Sequence, residues 1–541
     1  MPIELNRLRG RKQVAWLGSQ PPTEAKRVFL EREYKVIGCA NQELEKPEFL
    51  AGLSAVVFTQ NLEKLRRIAS DVEQHAQRLL NHGCLIILRY SAPEALTFLT
   101  DVIDRLEIPA VWFSYPLEWR KLWQNAQNDD VPPPYAGYFD ETVSWTTVAN
   151  FISDRLPVGA PNGALKITID DDVDDNGLRR KLELDTESEI LLRRAFSEQE
   201  CTSVHLVPID GGKSGAKVYR AYAERGGLEG LWPQPHFVKI GPRGKIFTEY
   251  EIYEERVDPY IPFHLGPHLD RDRCCLGAKN GIIVGDYVEE SESLHTCACT
   301  GRSASAIACL FDKTLLGWHR QAQKVPSSLA DVLRPRFPRM GKFPANRIAR
   351  ARELGATLNP DELFALFMRC TLPLVLVGSI HGDLHAGNVR VRATDAIVID
   401  FYAHSTGPLV YDAACLEASL LVEGFADDDR DTCEWLQSLD PLYEAPVLAC
   451  GVMQSNPRNR SFWFHACVNQ IRRYARQWEC GCGQDQYAGA LAVALLNKAS
   501  KDWCAFQPEA DRRAAAYVLA ERVLTKTFGS HAKVGTLATT T

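Results

Sequence analysis

The sequence predicts an α/β domain with a small parallel sheet at its N-terminal end, followed by an α+β region. Short apolar runs alternate with helical segments in the first part of the chain, whereas paired strands around a glycine-rich turn come later. The chain has 541 residues, of which 45% are hydrophobic and 24% charged, enough for two to four folded domains. This composition is that of a globular protein and excludes a mainly disordered one.

Residues 1–155 carry five apolar runs at the spacing of an α/β fold, at 14–17, 35–38, 55–58, 84–88 and 110–113. Continuous apolar runs predict strands that are buried on both faces, so we expect a parallel sheet covered by helices. In outline the pattern resembles a response-regulator receiver domain. Receivers carry a phosphoacceptor aspartate at the end of the third strand, where this chain has Thr59 and Gln60. We therefore predict a receiver-like regulatory or docking domain that has no phosphotransfer chemistry of its own.

Residues 156–184, after a proline-rich break at 131–134, are predicted to form an acidic linker. Part of this linker matches the ligand positions of a calcium-binding loop, with Asp172, Asp174, Asn176, Gly177 and Glu183. The match is poor elsewhere, because Arg179 takes a normally apolar position and residues 165–169 alternate like a strand rather than an entering helix. A linker is therefore the better interpretation, and a capping box beginning at Thr186 predicts the start of the next helix.

A glycine-rich turn separates two predicted strands, at residues 204–209 and 216–220. The candidate phosphate-binding residues in the turn are Gly211, Gly212, Ser214 and Gly215. Glycine has no side chain, so the backbone amides of such a turn can approach phosphate groups closely. Many similar turns only close a hairpin, so this interpretation depends on motifs further along the chain.

Three polar residues follow short apolar runs in the second half of the chain: Asp383, Asn388 and Asp400. The runs at 372–377 and 396–399 predict buried strands, which would place these polar groups at strand ends. Phosphoryl transfer needs a carboxylate that orients or deprotonates the attacking hydroxyl, and oxygen ligands that hold Mg²⁺. The three residues supply those groups and predict a phosphoryl-transfer site.

The sequence His-Gly-Asp-Leu-His-Ala-Gly-Asn at residues 381–388 resembles the catalytic loop of the aminoglycoside phosphotransferase and choline kinase-like family. This family is part of the protein-kinase-like superfamily, whose second motif usually reads Asp-Phe-Gly. Tyr402 replaces that glycine here, as is common among small-molecule kinases. The resemblance implies that Asp383 is the catalytic base, that Asn388 and Asp400 bind the metal, and that ATP and Mg²⁺ are the cofactors.

The resemblance also implies a two-lobed protein-kinase-like domain, with a small lobe at residues 185–290 and a mostly helical large lobe at 291–541. After the metal aspartate, Asp412 resembles a residue that braces the catalytic loop in the family. An ordinary helix N-cap is an equally good interpretation of Asp412.

In the small lobe, Lys239 looks like the cation that contacts the nucleotide phosphates. Glu249 lies ten residues further on, on the same predicted helical face as its apolar neighbours, and could point back to pair with Lys239. Glu251 is the alternative partner. Asp286 and Val288 belong to a segment that resembles the hinge strand, whose backbone would bond the adenine edge.

Two charged segments make opposite predictions about the charge of the acceptor. A basic segment between the hinge and the catalytic loop contains Arg334, Arg336, Arg339, Lys342, Arg347, Arg350 and Arg352. It predicts either a solvated basic face or a site for an anionic acceptor. An acidic segment at 427–431 would instead suit a polycation, so the charge of the acceptor stays undecided.

The formal net charge of -7 gives no global basic field, so indiscriminate binding to nucleic acid or a membrane surface is not favoured. The first residues lack the apolar core of a signal sequence, and the longest apolar stretch, 363–380, is interrupted by Arg369 and Pro373. We expect a soluble cytoplasmic protein with no membrane partner. Cys480 and Cys482 are better explained as reduced thiols than as metal ligands.

Together these features predict an ATP- and Mg²⁺-dependent phosphotransferase that acts on a hydroxyl of a small-molecule or protein acceptor. Two other classes of protein remain open. One is a nucleotide-binding pseudokinase that acts as a signalling or scaffolding module, with a protein partner at the N-terminal domain. The other is a metal hydrolase that uses His381, Asp383 and His385, although the upstream lysine and glycine turn argue against it.

Overall fold

The structure is a computed structural model that describes residues 13–17, 20–32, 34–46, 49–50, 53–59, 75–76, 78–90, 110–113, 136–140, 142–154, 161–170, 172–173, 179–180, 183–198, 201–209, 216–225, 235–277, 279–371, 374–424, 432–444, 462–479, 482, 485–501 and 507–529. The chain forms two compact units, residues 1–251 with 268–289 and residues 252–267 with 290–541. Among the described helices, none is both long and apolar enough to span a membrane.

The first unit contains a parallel sheet of six described strands. They are β1 (Gln13–Leu17), β2 (Lys35–Cys39), β3 (Leu53–Phe58), β4 (Leu85–Tyr90), β5 (Ala110–Phe113) and β6 (Ala136–Asp140), in the order β2-β1-β3-β4-β6-β5. All five predicted apolar runs form strands. The sequence did not predict β6, because Ala-Gly-Tyr-Phe-Asp is not a continuous apolar run.

The order of these strands bears on the predicted receiver-like domain. A receiver has the strand order 2-1-3-4-5, whereas β6 lies between β4 and β5 here. The likeness therefore extends over the first four strands of the sheet, and the receiver-like assignment is not confirmed.

The end of β3 is held by an aromatic cluster rather than by acidic residues. The Trp16 indole Nε1 donates to the Thr59 hydroxyl over 3.0 Å, and the Trp16 ring lies 5.0 Å from that of Trp145, centroid to centroid. Trp145 begins the helix Trp145–Asp154, which covers the sheet together with Thr23–Leu30. The hydroxyl of the half-buried Thr59 therefore bonds to the end of β1, at the position where a receiver carries its phosphoacceptor.

A second sheet in the first unit is mostly antiparallel, in the order β13-β14-β12-β11-β10-β7. Its strands are β7 (Lys166–Ile169), β10 (Cys201–Pro208), β11 (Lys217–Arg225), β12 (His236–Pro242), β13 (Cys275–Leu276) and β14 (Asn280–Asp286), and its helices are Thr186–Ala195 and Arg243–Ile252. Strand β7 pairs in parallel with β10. The predicted linker therefore supplies the edge strand β7 to the following sheet. Residues 166–169 alternate between exposed and half-buried positions, as the sequence pattern indicated.

The candidate calcium loop begins in a strand. Asp172 lies in β8 (Asp172–Val173), which pairs antiparallel with β9 (Arg179–Arg180), while Asp174, Asn176 and Gly177 lie outside the described residues. The predicted capping box at Thr186 is wrong by one residue. Asp185 is the N-cap, and its carboxylate accepts from the Ser188 amide over 2.9 Å.

The second unit contains two three-stranded sheets and a group of helices. Strands β15 (Glu292–Ser293), β18 (Val389–Arg392) and β19 (Asp395–Val398) form one sheet, and β16 (Gln323–Val325), β17 (Val375–Ile380) and β20 (Ser405–Pro408) form the other. The described α-helices are Leu294–Cys299, Ser303–Cys309, Leu316–His319, Leu329–Leu333, Ala345–Glu353, Pro360–Phe367, Val410–Glu423, Thr432–Glu444, Phe462–Glu479, Gln486–Ser500 and Gln507–Phe528.

The helix Val410–Glu423 lies at the centre of this unit and is buried along almost its whole length. Within it, the fully buried Glu417 carboxylate accepts from the Arg472 guanidinium over 2.7 and 3.0 Å. The hydroxyls of Tyr443 and Tyr487 donate to the same carboxylate over 2.9 and 2.7 Å. Two charges and two hydroxyls thus satisfy one another, which fixes three helices around the central one.

We expect Arg472→Met to destabilise the protein by about 3–5 kcal/mol, because it leaves the buried Glu417 charge without its partner. Urea unfolding followed by tryptophan fluorescence would measure the change. Arg473→Met is the matched control, since Arg473 is the next residue on the same helix but is exposed. Equal stability of the two variants would show that the Glu417 pair contributes little.

Candidate active site

The glycine-rich turn connects a hairpin, as the sequence predicted. Strands β10 and β11 pair antiparallel, and the Ile209 amide donates to the Val218 carbonyl over 3.0 Å at the mouth of the turn. The candidate phosphate-binding residues Gly211, Gly212, Ser214 and Gly215 lie outside the described residues. Their role in binding a nucleotide stays a prediction.

Lys239 and Glu249 form a buried ion pair in the first unit. Lys239 lies on β12, in the interior of the second sheet, and its Nζ donates to Glu249 Oε2 over 2.7 Å. The side chains of Lys239 and Glu249 are only 9% and 11% exposed. Glu249 lies on the helix Arg243–Ile252, whose geometry points the side chain back toward the strand. The predicted pair is therefore formed by Glu249 and not by Glu251, while its role in nucleotide binding stays a prediction.

The segment that resembles a hinge begins at the end of β14. Asp286 is the last residue of the strand and has an exposed side chain, and its amide donates to the His268 carbonyl over 2.8 Å. Tyr287 donates its amide to the Pro235 carbonyl over 3.1 Å. Val288 follows and is half-buried. These bonds fix the backbone of the segment, and the adenine contacts of Asp286 and Val288 stay predictions.

The motif at 381–388 begins directly after β17, and the Asp412 side chain accepts hydrogen bonds from its first two residues. One oxygen of the buried Asp412 carboxylate accepts from the His381 amide over 2.7 Å and the other from the Gly382 amide over 2.9 Å. The N-cap of its helix is Leu409, so Asp412 is not the cap. Of the two interpretations of Asp412, bracing of the loop is the one that the contacts support.

The position of Gly382 requires a glycine. Its φ of +79° lies in the left-handed region, and a Cβ at this position would meet the Ala403 carbonyl oxygen and the Arg336 guanidinium. The loop therefore passes close to the segment after Asp400. Asp383 is the next residue, and its side chain is exposed.

The two predicted metal ligands are linked through the backbone. The Ile399 amide donates to the Asn388 carbonyl over 3.0 Å, so Asp400 follows a residue that is bonded to Asn388. The Asn388 side chain is buried, and its Nδ2 donates to the Asp383 carbonyl over 3.1 Å. This bond uses the amide nitrogen and leaves Oδ1 as the atom suited to a hard cation such as Mg²⁺, which prefers oxygen ligands.

Asp400 has an unusual backbone conformation. With φ 63° and ψ 74° it is left-handed, which is uncommon for a residue other than glycine. Such conformations cost about 1–3 kcal/mol and persist where the surrounding structure fixes them, often at functional sites. The carboxylate of Asp400 and Oδ1 of Asn388 are both oxygen donors, the kind of ligand that Mg²⁺ prefers, and their binding of the ion stays a prediction.

The histidine side chains of the motif form hydrogen bonds with the backbone of the loop and of Ile399. His381 Nε2 lies 3.0 Å from the Ile399 carbonyl, and its Nδ1 accepts from the Asp383 amide over 3.4 Å. His385 Nδ1 accepts from the Gly387 amide over 3.1 Å. In the part of the chain that the structure describes, no three His, Cys, Asp or Glu side chains are grouped to hold a metal. These contacts argue against the metal-hydrolase alternative.

The Asp383 carboxyl is shifted toward its ionised form. Burial by itself would raise the pKa of Asp383, but the electrostatic influence of the nearby Lys498, His385, His381 and Lys501 side chains outweighs it and holds this pKa below its ordinary value. Asp383 therefore carries a negative charge throughout the neutral pH range, as a proton acceptor requires.

Arg336 contributes to the loop in a way that the sequence did not predict. Its Nη1 donates to the Gly382 carbonyl over 3.1 Å, and its Nη2 bonds the Ser405 hydroxyl. One guanidinium thus connects the loop at 381–388 to the segment after Asp400. The pattern of charges along the sequence could not reveal this role, because the partners lie 46 and 69 residues away.

The predicted basic segment is divided, because three of its seven residues make internal contacts and the other four are exposed. Besides Arg336, the buried Arg347 donates to the Ala499 carbonyl over 3.4 Å, and Arg350 pairs with Asp511 over 3.0 Å. Arg334 pairs with Asp331 over 3.1 Å. The exposed side chains of the set are Arg334, Arg339, Lys342 and Arg352. The acidic segment at 427–431 lies outside the described residues.

Comparisons with known proteins bear on the second unit most directly. Residues 303–437 match the model of the phosphotransferase enzyme family. No curated protein matches the chain. Among solved structures, the amicoumacin kinase hAmiN in complex with AMP-PNP, Ca²⁺ and Ami is 12% identical, with a TM-score of 0.32 over 60% of this chain and 88% of that chain.

Two further solved structures are similar at the same level. A thermostable mutant of the aminoglycoside phosphotransferase APH(4)-Ia is 11% identical, with a TM-score of 0.31 over 59% of this chain and 94% of its own. The choline kinase LicA from Streptococcus pneumoniae is 15% identical, with a TM-score of 0.27 over 58% and 99%. The family match over residues 303–437 contains the motif at 381–388, and it confirms that this part of the chain resembles the phosphotransferase enzyme family.

Proposed function

We propose that the protein is an ATP- and Mg²⁺-dependent phosphotransferase that phosphorylates a hydroxyl group of its acceptor. The observation that carries the proposal is the arrangement of Asp383, Asn388 and Asp400 on two segments that are bonded to each other. Asp412 and Arg336 hold the loop on either side of Gly382. The match of this region to the phosphotransferase enzyme family supports the same conclusion.

In the proposed reaction, the acceptor oxygen attacks the γ-phosphorus of ATP while the bond to the β–γ bridging oxygen breaks and ADP leaves. The hydroxyl proton passes to the Asp383 carboxylate, whose low pKa keeps it ionised. The backbone of Asp383 is fixed by the Asn388 amide and the His381 ring. Its side chain is therefore positioned without being engaged in holding the loop.

Asn388 and Asp400 would hold the magnesium ion, which when bound would neutralise negative charge on the phosphate oxygens. Lys239 would contact the phosphates, and Glu249 would fix its position through the buried ion pair. Gly211, Gly212, Ser214 and Gly215 would supply backbone amides for the phosphates.

A second candidate function is that of a nucleotide-binding pseudokinase. The six-stranded domain at the N-terminal end favours it, because such a domain offers a surface for a protein partner. The retention of Asp383, Asn388, Asp400 and Lys239 opposes it. We propose a regulatory or docking role for this domain in either case.

Incubation with γ-labelled ATP and fractionated metabolite and protein pools tests the proposal. We expect label to leave ATP and to appear in an acceptor only when Mg²⁺ is present. If the protein bound nucleotide but transferred no label to water or to any fraction, the proposed phosphotransferase activity would be wrong and the pseudokinase function would be supported.

We expect Arg336→Met to lower turnover by roughly 10²-fold, the scale of a misplacement of about 1 Å in the reacting groups. The KM for ATP should change much less, because Arg336 contacts the loop backbone and not a predicted nucleotide ligand. Arg336→Lys should recover part of the rate, since lysine can replace one of the two bonds. Arg339→Met is the control, because the Arg339 side chain is exposed. If Arg336→Met and Arg339→Met lowered turnover equally, Arg336 would have no specific role in positioning the loop.

A further inference from the structure

Arg194 connects the two sheets of the first unit. It lies near the end of the helix Thr186–Ala195, which packs on the second sheet, and its side chain is fully buried. Its Nη1 donates to the Asn81 carbonyl over 3.2 Å and to the Leu276 carbonyl over 2.9 Å. Asn81 precedes β4 of the first sheet, and Leu276 belongs to β13 of the second. One guanidinium is therefore shared between the two sheets.

The Asn81 carbonyl lies where a helical segment ends, just before β4. The chain then turns back, because Gly83, with a φ of +71°, donates its amide to the Leu80 carbonyl over 2.8 Å. The last carbonyls of a helix have no partner within the helix and carry its negative end. The Arg194 guanidinium supplies a charged donor to this end.

An apolar side chain could fill the position of Arg194 at a lower cost of burial. In the part of the chain that the structure describes, Nε and Nη2 of this buried guanidinium make no hydrogen bond. Its bonds to the two carbonyls are therefore what an arginine contributes here. Beside them, the half-buried Leu276 packs against the hydrophobic core of the first sheet. The contact between the two sheets is thus both polar and apolar.

The hairpin that contains Leu276 also packs against the helix that carries Glu249. Strands β13 and β14 pair at Leu276 and Gly281. A Cβ at Gly281 would lie 2.6 Å from Leu276 Cδ2 and 2.7 Å from Ile246 Cγ2, so both side chains pack over this glycine. Ile246 is buried and lies about one helical turn before Glu249. Leu276 therefore touches the core of the first sheet and lies beside a residue of the Glu249 helix.

The turn of the same hairpin bonds the backbone of that helix. The Lys279 carbonyl accepts from the amide of Arg243, the first residue of the helix, over 2.8 Å. The Lys279 amide donates to the Glu187 carboxylate over 2.8 Å. Glu187 lies on the same helix as Arg194, so this helix contacts the hairpin at both ends. Packed side chains and hydrogen bonds of this kind can transmit a change at one place to another.

We propose that Arg194 is a positioning residue, which docks the six-stranded domain on the second sheet and thereby fixes the Lys239–Glu249 pair. The domain then acts on this pair from within the chain, through the hairpin and the Glu249 helix. The docking itself needs no catalytic activity. Its consequence for ATP rests on the proposed function, in which Lys239 contacts the phosphates.

Hydrogen exchange of the full-length protein without nucleotide tests the docking. We expect Arg194→Met to speed amide exchange roughly 10-fold or more at residues 78–84 and in the helix Arg243–Ile252, the scale of losing one charge-assisted hydrogen bond. Leu276→Ala should speed exchange in the same two segments, and it keeps the inference testable if Arg194→Met does not fold. Exchange of the helix Arg243–Ile252 at the wild-type rate in a folded variant would overturn the inference.

Arg193→Met is the matched control for this experiment. Arg193 is the neighbouring residue on the same helix, and its guanidinium bonds the carbonyls of residues 162, 163 and 165, which precede β7 of the second sheet. We expect exchange at residues 78–84 and in the helix Arg243–Ile252 to stay at the wild-type rate. Equal acceleration by Arg193→Met and Arg194→Met would show a general loss of stability and overturn the positioning role.

Steady-state kinetics tests the consequence for ATP. We expect Arg194→Met to raise KM for ATP roughly 10-fold with a smaller change in kcat, because Lys239 would be less firmly held. Arg194→Lys should recover part of the loss, since lysine keeps the charge and can bond one of the two carbonyls. A fall in kcat alone, as a smaller folded fraction would give, overturns the positioning role. If the wild-type protein transfers no label, the proposed function is wrong, and the exchange result alone decides the docking.

Discussion

Replacement of Asp383 by asparagine should lower phosphoryl transfer by roughly 10²-fold or more, the scale of losing a general base, while the affinity for ATP stays nearly the same. The reason is that asparagine has the shape of aspartate but accepts no proton. The contacts that hold this loop go through the backbone of Asp383 and not through its carboxylate. Single-turnover kinetics with γ-labelled ATP and a separate titration of nucleotide binding would distinguish chemistry from binding.

Asp395→Asn is a suitable control for this experiment. It removes one negative charge from the same unit, at the start of β19, without changing the loop. If Asp383→Asn kept the full biological activity of the protein, Asp383 would not be a base, and the pseudokinase function would be the better account.

Replacement of Asp400 by alanine should abolish most of the Mg²⁺-dependent binding of ATP. In the wild-type protein, a nucleotide at 100 times its Kd stabilises the folded state by about 2.7 kcal/mol, and most of this should disappear in the variant. Two losses contribute, since alanine provides no oxygen ligand and adopts a left-handed backbone less readily than aspartate. Thermal unfolding with ATP, in Mg²⁺ or in EDTA, measures the effect.

Asp400→Asn separates the two contributions, because asparagine tolerates the left-handed conformation but lacks the negative charge. We expect a smaller loss of thermal stability without nucleotide than in the alanine variant, and a similar loss of Mg²⁺-dependent stabilisation. Equal stabilisation by ATP in EDTA, or in either variant, would show that the metal assignment is wrong.

The elements that the sequence predicted are those with local signals. The strands of the N-terminal sheet follow from continuous apolar runs, and the Lys239–Glu249 pair follows from a strand and a helix ten residues apart. The catalytic loop follows from a short motif of defined spacing. In each case the residues that decide the structure lie close together in the sequence.

The elements that the sequence missed depend on distant contacts. Arg336 reaches the loop across 46 residues, and Asn497 reaches Arg336 across 161. Strand β6 has no apolar run of its own and is placed by its neighbours in the sheet. Such roles are set by tertiary packing, which a charge or hydropathy pattern does not encode.

The central claim is that Asp383, Asn388 and Asp400 act together in Mg²⁺-dependent phosphoryl transfer from ATP. The most direct measurement follows the γ-label of ATP, by ³¹P NMR or radiolabel, with the wild-type protein, Asp383→Asn and Asp400→Ala, each in Mg²⁺ and in EDTA. We predict that label leaves ATP rapidly only with the wild-type protein in Mg²⁺, that Asp383→Asn binds ATP but transfers label roughly 10²-fold more slowly or slower still, and that Asp400→Ala loses most of its ATP binding. Release of label at wild-type rates by either variant, or ATP binding without any transfer by the wild-type protein in Mg²⁺, would contradict the claim.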